Sequence, residues 1–387
     1  MANTLTDLIP DAYAALDIVS RELVGFIPAV TIDARVNRAH KDQEVVVPIA
    51  PAANAGFDIT PAMSIPAAAD QTIGNTKIKI TKSRGRPFSW NGLEQGSLNS
   101  DGKGPGYFPI RANQMLQAMR ALVNEVESDL ADLHITTSRA FGTAGTTPFQ
   151  TAGNFTQATY AHKILKDNGA PVSDNQLVLD TTAAAEFAGK QSSSAVEFDN
   201  GLMRQGIIRS IDGLDVRQSA QVKTNTAGTG ASATTDNAGY AVGDTVITLA
   251  SAGTGTILAG DIITIAGDTN KYVIASGDAD VSNGGTITLA EPGLRVALAA
   301  SATAITVVAA AARNMLFNRS AIVLATRMPE RPVEGDLALD VTSITDPRTG
   351  LTFEIAIYPG NRMVRYEISI AWGVKNIKPE HTALLLG

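Results

Sequence analysis

The sequence predicts an α+β chain: a long amphipathic helix and paired strands, with a small all-β barrel or sandwich inserted in the second half. Three observations carry that prediction. Residues 111–133 hold one apolar stripe, Ala112, Met115, Leu116, Met119, Leu122, Val123, Val126, Leu130 and Leu133, at i, i+3, i+4 and i+7. Towards the C-terminus, Leu351, Phe353, Ile355 and Ile357, then Val364, Tyr366, Ile368, Ile370, Trp372 and Val374, recur at every second position. Near Asn225 the composition turns to Gly, Ala, Ser, Thr and Asn, after which short apolar runs alternate with Gly-, Asp- and Asn-rich turns.

At 387 residues the chain has room for two or three domains, taking about 150 residues for each. A net charge of −7 weighs against a protein built to grip phosphate backbones, which needs clustered Lys and Arg. The absence of cysteine excludes disulfides, thiolate metal sites and Cys nucleophiles. Residues 1–10 lack the basic start of a secretory signal. Val296–Ala312 is uncharged between Arg295 and Arg313, yet too rich in Ala and Thr for a membrane span.

The first expected element is a helix capped at Thr6 or Asp7, with Leu8, Ala12, Ala15, Leu16, Val19 and Leu23 at helical spacing, stopped by Gly25 and Pro28. Strands follow at Val45–Val47 and Thr76–Thr81, flanking an irregular tip broken by Pro48, Pro51, Pro61 and Pro66. A hairpin arm of about 25 residues a side reaches roughly 80 Å. A loop of that length with little core of its own contacts something or is disordered. The Gly102–Gly106 run lacks the Gly-Lys-Ser/Thr ending of a phosphate loop, and Pro105 removes a donor; it reads as a hinge before the spine helix.

The spine helix would be roughly 35 Å long, and Gly142 and Gly145 begin the loop after it. A helix over Thr156–Asn168, a buried strand at Gln176–Asp180, and a helix capped by Thr181 or Thr182 and running through Phe187 come next. Ile207-Ile208 and Leu214–Val216 read as strands about an Asp212-Gly213 turn. Ala227–Gly239 reads as a flexible linker. Short strands are then expected at Thr245–Leu249, Asp261–Ile265, Lys271–Ile274, Thr286–Leu289 and Ala304–Val308, and a tight turn at Tyr358–Asn361 joins the final pair.

Little in the sequence points to catalysis. His40, His134, His162 and His381 have no metal spacing, and no nucleophile elbow is present. Asp278 to Gly284 looks like a calcium loop, but Asn283 stands where Gly is needed and Leu289 where Glu is needed, so a turn is expected, with a weak cation site as the alternative. One basic run, Lys77, Lys79, Lys82, Arg84 and Arg86, lies close to Phe88 and Trp90. Three uses stay open for it: nucleic-acid contact, pairing with acidic patches of a neighbouring subunit, or a strand edge kept soluble by charge.

Four segments carry a family resemblance. Leu5 to Tyr13, Ile208 to Ser219 with its Asp212-Gly213 turn, Gly255 to Gly267, and Phe317 to Ala325 stand in an order that resembles the coat proteins of the short-tailed Salmonella phage P-twenty-two type. Those proteins share the Hong Kong phage ninety-seven capsid fold. The resemblance implies an N-terminal arm (1–34), an extended hairpin loop (35–103), a peripheral domain with the spine helix (104–155), a first axial part (156–225), an inserted β-barrel (226–310) and return strands (311–387).

The resemblance further implies a major capsid protein that self-assembles into the icosahedral head of a tailed bacteriophage, first as a procapsid that expands on DNA packaging. It would be located in the virion after assembly in the host cytoplasm. Partners would be copies of itself in hexamers and pentamers, a separate scaffolding protein (no charged helical leader precedes the arm), a portal protein and a decoration protein. Packaged double-stranded DNA would be touched only non-specifically, with no membrane contact. Such a subunit implies no catalytic residue, cofactor or metal. Lys82, Arg84, Arg86, Asp278 and Asp280 are the candidates for subunit contacts. An encapsulin-like compartment and a β-rich adhesin or carbohydrate-binding module are the alternatives.

Overall fold

The computed structural model describes residues 24–34, 38–40, 42–49, 61, 74–99, 106–150, 155–189, 211–346 and 349–387. The helix expected over 6–23, most of the hairpin tip, the hinge at 102–105 and the strand at Ile207-Ile208 lie outside the described residues. In chain order the strands are β1 (Thr31–Ala34), β2 (Glu44–Ile49), β3 (Gly74–Lys79), β4 (Lys82–Asn91), β5 (Arg139–Phe141), β6 (Asn175–Leu179) and β7 (Leu214–Gln218). Then come β8 (Ala233–Thr234), β9 (Val246–Leu249), β10 (Ile262–Ile265), β11 (Lys271–Ser276), β12 (Gly285–Leu289) and β13 (Ala304–Val307). The last are β14 (Arg313–Asn318), β15 (Ile322–Arg327), β16 (Asp340–Thr345), β17 (Thr352–Gly360), β18 (Met363–Asn376) and β19 (Thr382–Leu386). The helices are α1 (Gly92–Asn99), α2 (Tyr107–Ala131), α3 (Thr156–Asp167) and α4 (Thr181–Gly189).

The alternating C-terminal segments pair as expected, antiparallel from Glu354↔Ser369 to Gly360↔Met363. The turn differs. Tyr358, Pro359 and Gly360 continue the strand, and the chain reverses over Asn361 and Arg362, where Arg362 takes a positive φ of 56°. A two-residue reversal suits the right-handed twist of the flanking strands when backbone φ is positive. These two strands centre a six-stranded sheet, β1-β15-β18-β17-β16, with β4 along β18.

The spine helix α2 starts one turn before the expected Arg111 and tightens into a short 3-10 helix at Asp132–Thr136. Its 25 residues span roughly 37 Å at helical rise. Met115, Met119, Leu122, Val126 and Leu130 are fully buried and share one core with Phe353, Ile368, Ile370 and Trp372 of the sheet. The stripe read in the sequence is therefore the face that meets the sheet.

A second, larger sheet runs β7-β6-β14-β19-β5-β11-β10-β13-β8, with β12 on β11 and β9 on β12. β6 is buried along its whole length, and α3 and α4 cover this end through Leu165, Phe187, Leu179, Leu316 and Leu385. Strands β8 to β13 have their own core, centred on Ile247, Ile263, Tyr272, Ile274, Ile287 and Ile305. Hydrogen bonds from Asp236 N to Thr248 O (3.0 Å) and Ala250 N to Thr234 O (3.0 Å) bring β8 beside β9. These strands are continuous with the larger sheet, because β11 pairs with β5 through Lys271↔Ala140 and Tyr272↔Arg139.

The stretch expected as a flexible linker, 227–239, is structured. Gly230 N donates to Thr256 O (2.8 Å), Ala231 pairs with Thr254, and β8 follows. Its small residues serve close backbone approach: a Cβ on Gly228 would collide with the Thr256 carbonyl oxygen. Composition alone does not separate that use of glycine from flexibility.

Candidate functional site

In β4, Lys82, Arg84 and Arg86 stand two residues apart and share one face, since strand side chains alternate. Glu125 and Asp129 stand four apart on α2, so they share a helix face. The fold lays these two faces together. Lys82 Nζ lies 2.6 Å from Asp129 Oδ1, Arg84 Nε lies 3.8 Å from Glu125 Oε2, and Arg86 pairs with Glu125 Oε1. Asp129 Oδ2 also accepts the indole N–H of buried Trp372 at 2.8 Å. All three cations are thus gathered as one ladder, on the chain's own spine helix. Their side chains remain 42–61 % exposed, so each pair contributes about 1 kcal/mol or less. The direction of β4 is set by its pairing with β18 from Lys82↔Trp372 to Asn91↔Met363, and the ladder adds to it.

Lys77 pairs with Glu44 across the β2–β3 hairpin at 2.6 Å, and this bond holds the exposed Glu44 carboxyl below the usual carboxylate range. Val45 and Ile78, paired in register, bury against Val323, Ala325 and Ala371. The hairpin's root is therefore anchored in the sheet.

Asp278 and Asp280 lie elsewhere, in the turn between β11 and β12, and do not join the ladder. Asp278 Oδ1 accepts Asp280 N (2.8 Å). Asp280 accepts the hydroxyl of Ser282 (2.6 Å), its backbone N–H (3.1 Å) and Asn283 Nδ2 (2.6 Å). Those bonds, led by the Ser282 hydroxyl, keep the Asp280 carboxyl below its ordinary range. The two carboxylates build a turn and a short 3-10 helix at Val281–Asn283. Among the described residues no group of three His, Asp or Glu is placed to hold a metal ion. No helix among them is long and apolar enough to cross a membrane.

The histidines are dispersed. His40 is exposed beside Glu330 (3.7 Å), and burial lowers the pKa of both His134 and His381. His162 is buried between Asp212 (Nδ1 to Oδ2, 2.9 Å) and Asn175 (Nε2 to Nδ2, 3.2 Å), joining α3 to the turn before β7.

No family model matches the sequence, and no curated protein does. Solved structures do match. A capsid structure of the cyanophage P-SCSP1u is 11% identical with a TM-score of 0.51, over 95% of this chain and 88% of that one. A structure from Mycobacterium phage Che8 is 12% identical with a TM-score of 0.45, over 90% and 88%. A virus-like particle from Pyrococcus furiosus is 10% identical with a TM-score of 0.39, over 96% of both chains. The chain has the fold of a phage capsid protein.

Two residues that sequence reasoning missed hold this capsid fold together from inside. Glu127, 1% exposed on α2, accepts Phe26 N (3.0 and 3.1 Å), Ile27 N (3.0 Å) and the Ser219 hydroxyl (3.1 Å). It thus ties the segment before β1 and the end of β7 to the spine helix. Burial, outweighing those donors, raises its pKa to about 7. Glu354 on β17, also buried, meets Arg38 Nη2 (2.6 Å) and Arg331 Nη2 (3.1 Å), closing the hairpin root against the sheet. The signal for Glu127 was an acid standing beside the apolar stripe, next to Val126 and one turn above Leu130. Its partners lie 92 to 101 positions away.

Proposed function

We propose that this chain is the major capsid subunit of a tailed bacteriophage, a structural protein that self-assembles into an icosahedral head. The observation that carries the reading is the likeness to the cyanophage capsid structure along 95% of the chain. The architecture supports it in physical terms. A stiff helix braced by one sheet, a hairpin rooted beside it, and a second sheet with its own cores make a rigid building block. Rigid blocks lose little entropy when ordered in a lattice, so weak contacts repeated many times sum to a stable shell.

The finer reading is the Hong Kong phage ninety-seven fold in its P-twenty-two-type form, with residues 226–310 as an inserted barrel. The bonds that set β8 beside β9 support a closed strand set there. In this reading the subunit forms a procapsid that expands on DNA packaging, and its place is the virion after assembly in the host cytoplasm. Its partners are its own copies, a scaffolding protein and a portal. The β4 cations, still exposed beyond their helix partners, and the Asp278–Asp280 turn are its candidate subunit contacts.

Negative-stain microscopy of the expressed chain tests the proposal. Closed shells are expected, and a monodisperse monomer at high concentration would overturn it.

A further inference from the structure

Two buried polar groups of opposite sense stand without a protein partner where strands β8–β13 join the rest of the chain. Arg313, the first residue of β14, is 1% exposed, and its Nε, Nη1 and Nη2 find no acceptor among the described residues. Asn225 Oδ1 is likewise buried and finds no donor among them. Groups of this kind are rare in folded chains, because leaving one unsatisfied costs free energy.

The backbone brings the two side by side. Thr224 bridges Ala312, and Arg313 N donates to Lys223 O (2.8 Å), so 223 stands opposite 313 and 225 opposite 311. Arg313 and Asn225 therefore share one face, a diagonal step of roughly 7 Å apart. It is the face towards the spine helix, since Met315 and Phe317, the next residues on that side of β14, share a core with Leu130. Asp261, just before β10, completes the group. It is fully buried and accepts Asn225 Nδ2 (3.4 Å), Gly228 N (3.1 and 3.0 Å) and Leu258 N (2.7 Å). Burial lowers the Arg313 pKa to about 10, and the Asp261 charge opposes that fall. A carboxylate only accepts, so the end of the Asn225 amide turned to Asp261 is its NH2, and the end left over is its oxygen. Lys223 is occupied elsewhere, with Ser128 (2.7 Å) and Asp132 (3.4 Å).

We propose that this joint binds a water molecule, which accepts from the Arg313 guanidinium and donates to Asn225 Oδ1. One water satisfies a donor and an acceptor at once, and buried waters make about three such bonds. Ions fit only half of the site. A small anion would suit Arg313 but face Asn225 Oδ1 and the Asp261 carboxylate. A metal cation would suit those oxygens but face the guanidinium. The bridge ties the β8–β13 strands, through Asp261 and Asn225, to β14 and the core beneath the spine helix. It lies within one chain, so it does not rest on the shell reading.

An experimental density map sharp enough to show ordered water tests it, recorded with bromide in place of chloride. A peak within about 3 Å of both an Arg313 nitrogen and Asn225 Oδ1, with no anomalous bromide signal, is expected. A bromide signal there, or a direct contact between the two side chains, would overturn the proposal. Urea unfolding supplies a second readout. Asn225→Leu should lower the folding equilibrium about tenfold, and clearly less in an Arg313→Met background. The bond to Asp261 is lost in both backgrounds, so only the bridge differs. Equal losses in the two backgrounds would contradict it. Should Arg313→Met fail to fold, the map of the wild-type chain decides.

Discussion

Both carboxylate oxygens of Glu127 lie within 3.0 and 3.1 Å of the backbone nitrogen of Phe26, a residue 101 positions earlier in the chain. A buried acid on the spine helix thus clasps the strap that leads into β1. The group is protonated more readily in the folded chain than in the unfolded one, because burial disfavours its charge. Its contribution is therefore fully present below the unfolded value near 4.5 and is lost as pH rises through about 7. The shift corresponds to a loss on the order of 3 kcal/mol across that window. Urea unfolding between pH 5 and 8 should show this slope, and Glu127→Gln should flatten it. An unchanged slope in the variant would remove Glu127 as its source.

Asp129 joins two partners of unequal burial, half-buried Lys82 and buried Trp372. Removing the lysine only breaks a solvated pair, so Lys82→Ala should cost less than about 1 kcal/mol. Removing the acid leaves the indole N–H unpaired inside the core. Asp129→Ala should therefore cost about 1–3 kcal/mol more than its lysine partner's loss. Chemical denaturation of both variants and the double mutant measures the difference, and equal costs would contradict it.

Local periodicity made much of this fold legible. The stripe over 111–133 and the alternation at 351–374 each record one buried face, and each became an element within a turn of its expected place. The ladder was half legible: the spacing of Lys82, Arg84 and Arg86 put them on one face, but not against which acids. Glu125 and Asp129 become their partners only when β4 crosses α2, a pairing about 40 positions apart that no local pattern encodes. Glu127 and Glu354 were hidden for the same reason. An acid is read as solvated until tertiary structure buries it.

Glu354 stands between two cations that leave their own side chains only 23–29% exposed. Truncating it leaves Arg38 without its counter-charge and Arg331 with only Asp336, at 3.8 Å. Glu354→Ala should destabilise by about 3–5 kcal/mol, as for other broken buried pairs. Arg38→Ala, which leaves the carboxylate still paired with Arg331, should cost clearly less. Thermal melts of the two variants give the ordering, and the reverse order would contradict the network.

Gly228 decides whether the Gly-rich stretch before β8 is a tether or a packed strand. Its N–H donates to Asp261 Oδ1 and Oδ2 at 3.1 and 3.0 Å, and its Cα faces the Thr256 carbonyl. Asp261 is fully buried and also accepts Leu258 N at 2.7 Å, so neither side of the contact can yield easily. Adding a methyl group must displace backbone, at about 1–3 kcal/mol, the range for overpacking a filled site. Gly189, by contrast, has open space around its Cα, and φ there is not positive. Gly189→Ala should be neutral or slightly stabilising, through the smaller freedom of the unfolded chain. Hydrogen exchange should also show amides 230 and 231 protected, given their bonds to Thr256 and Thr254. Fast exchange at those amides, with Gly228→Ala as mild as Gly189→Ala, would return the stretch to a tether.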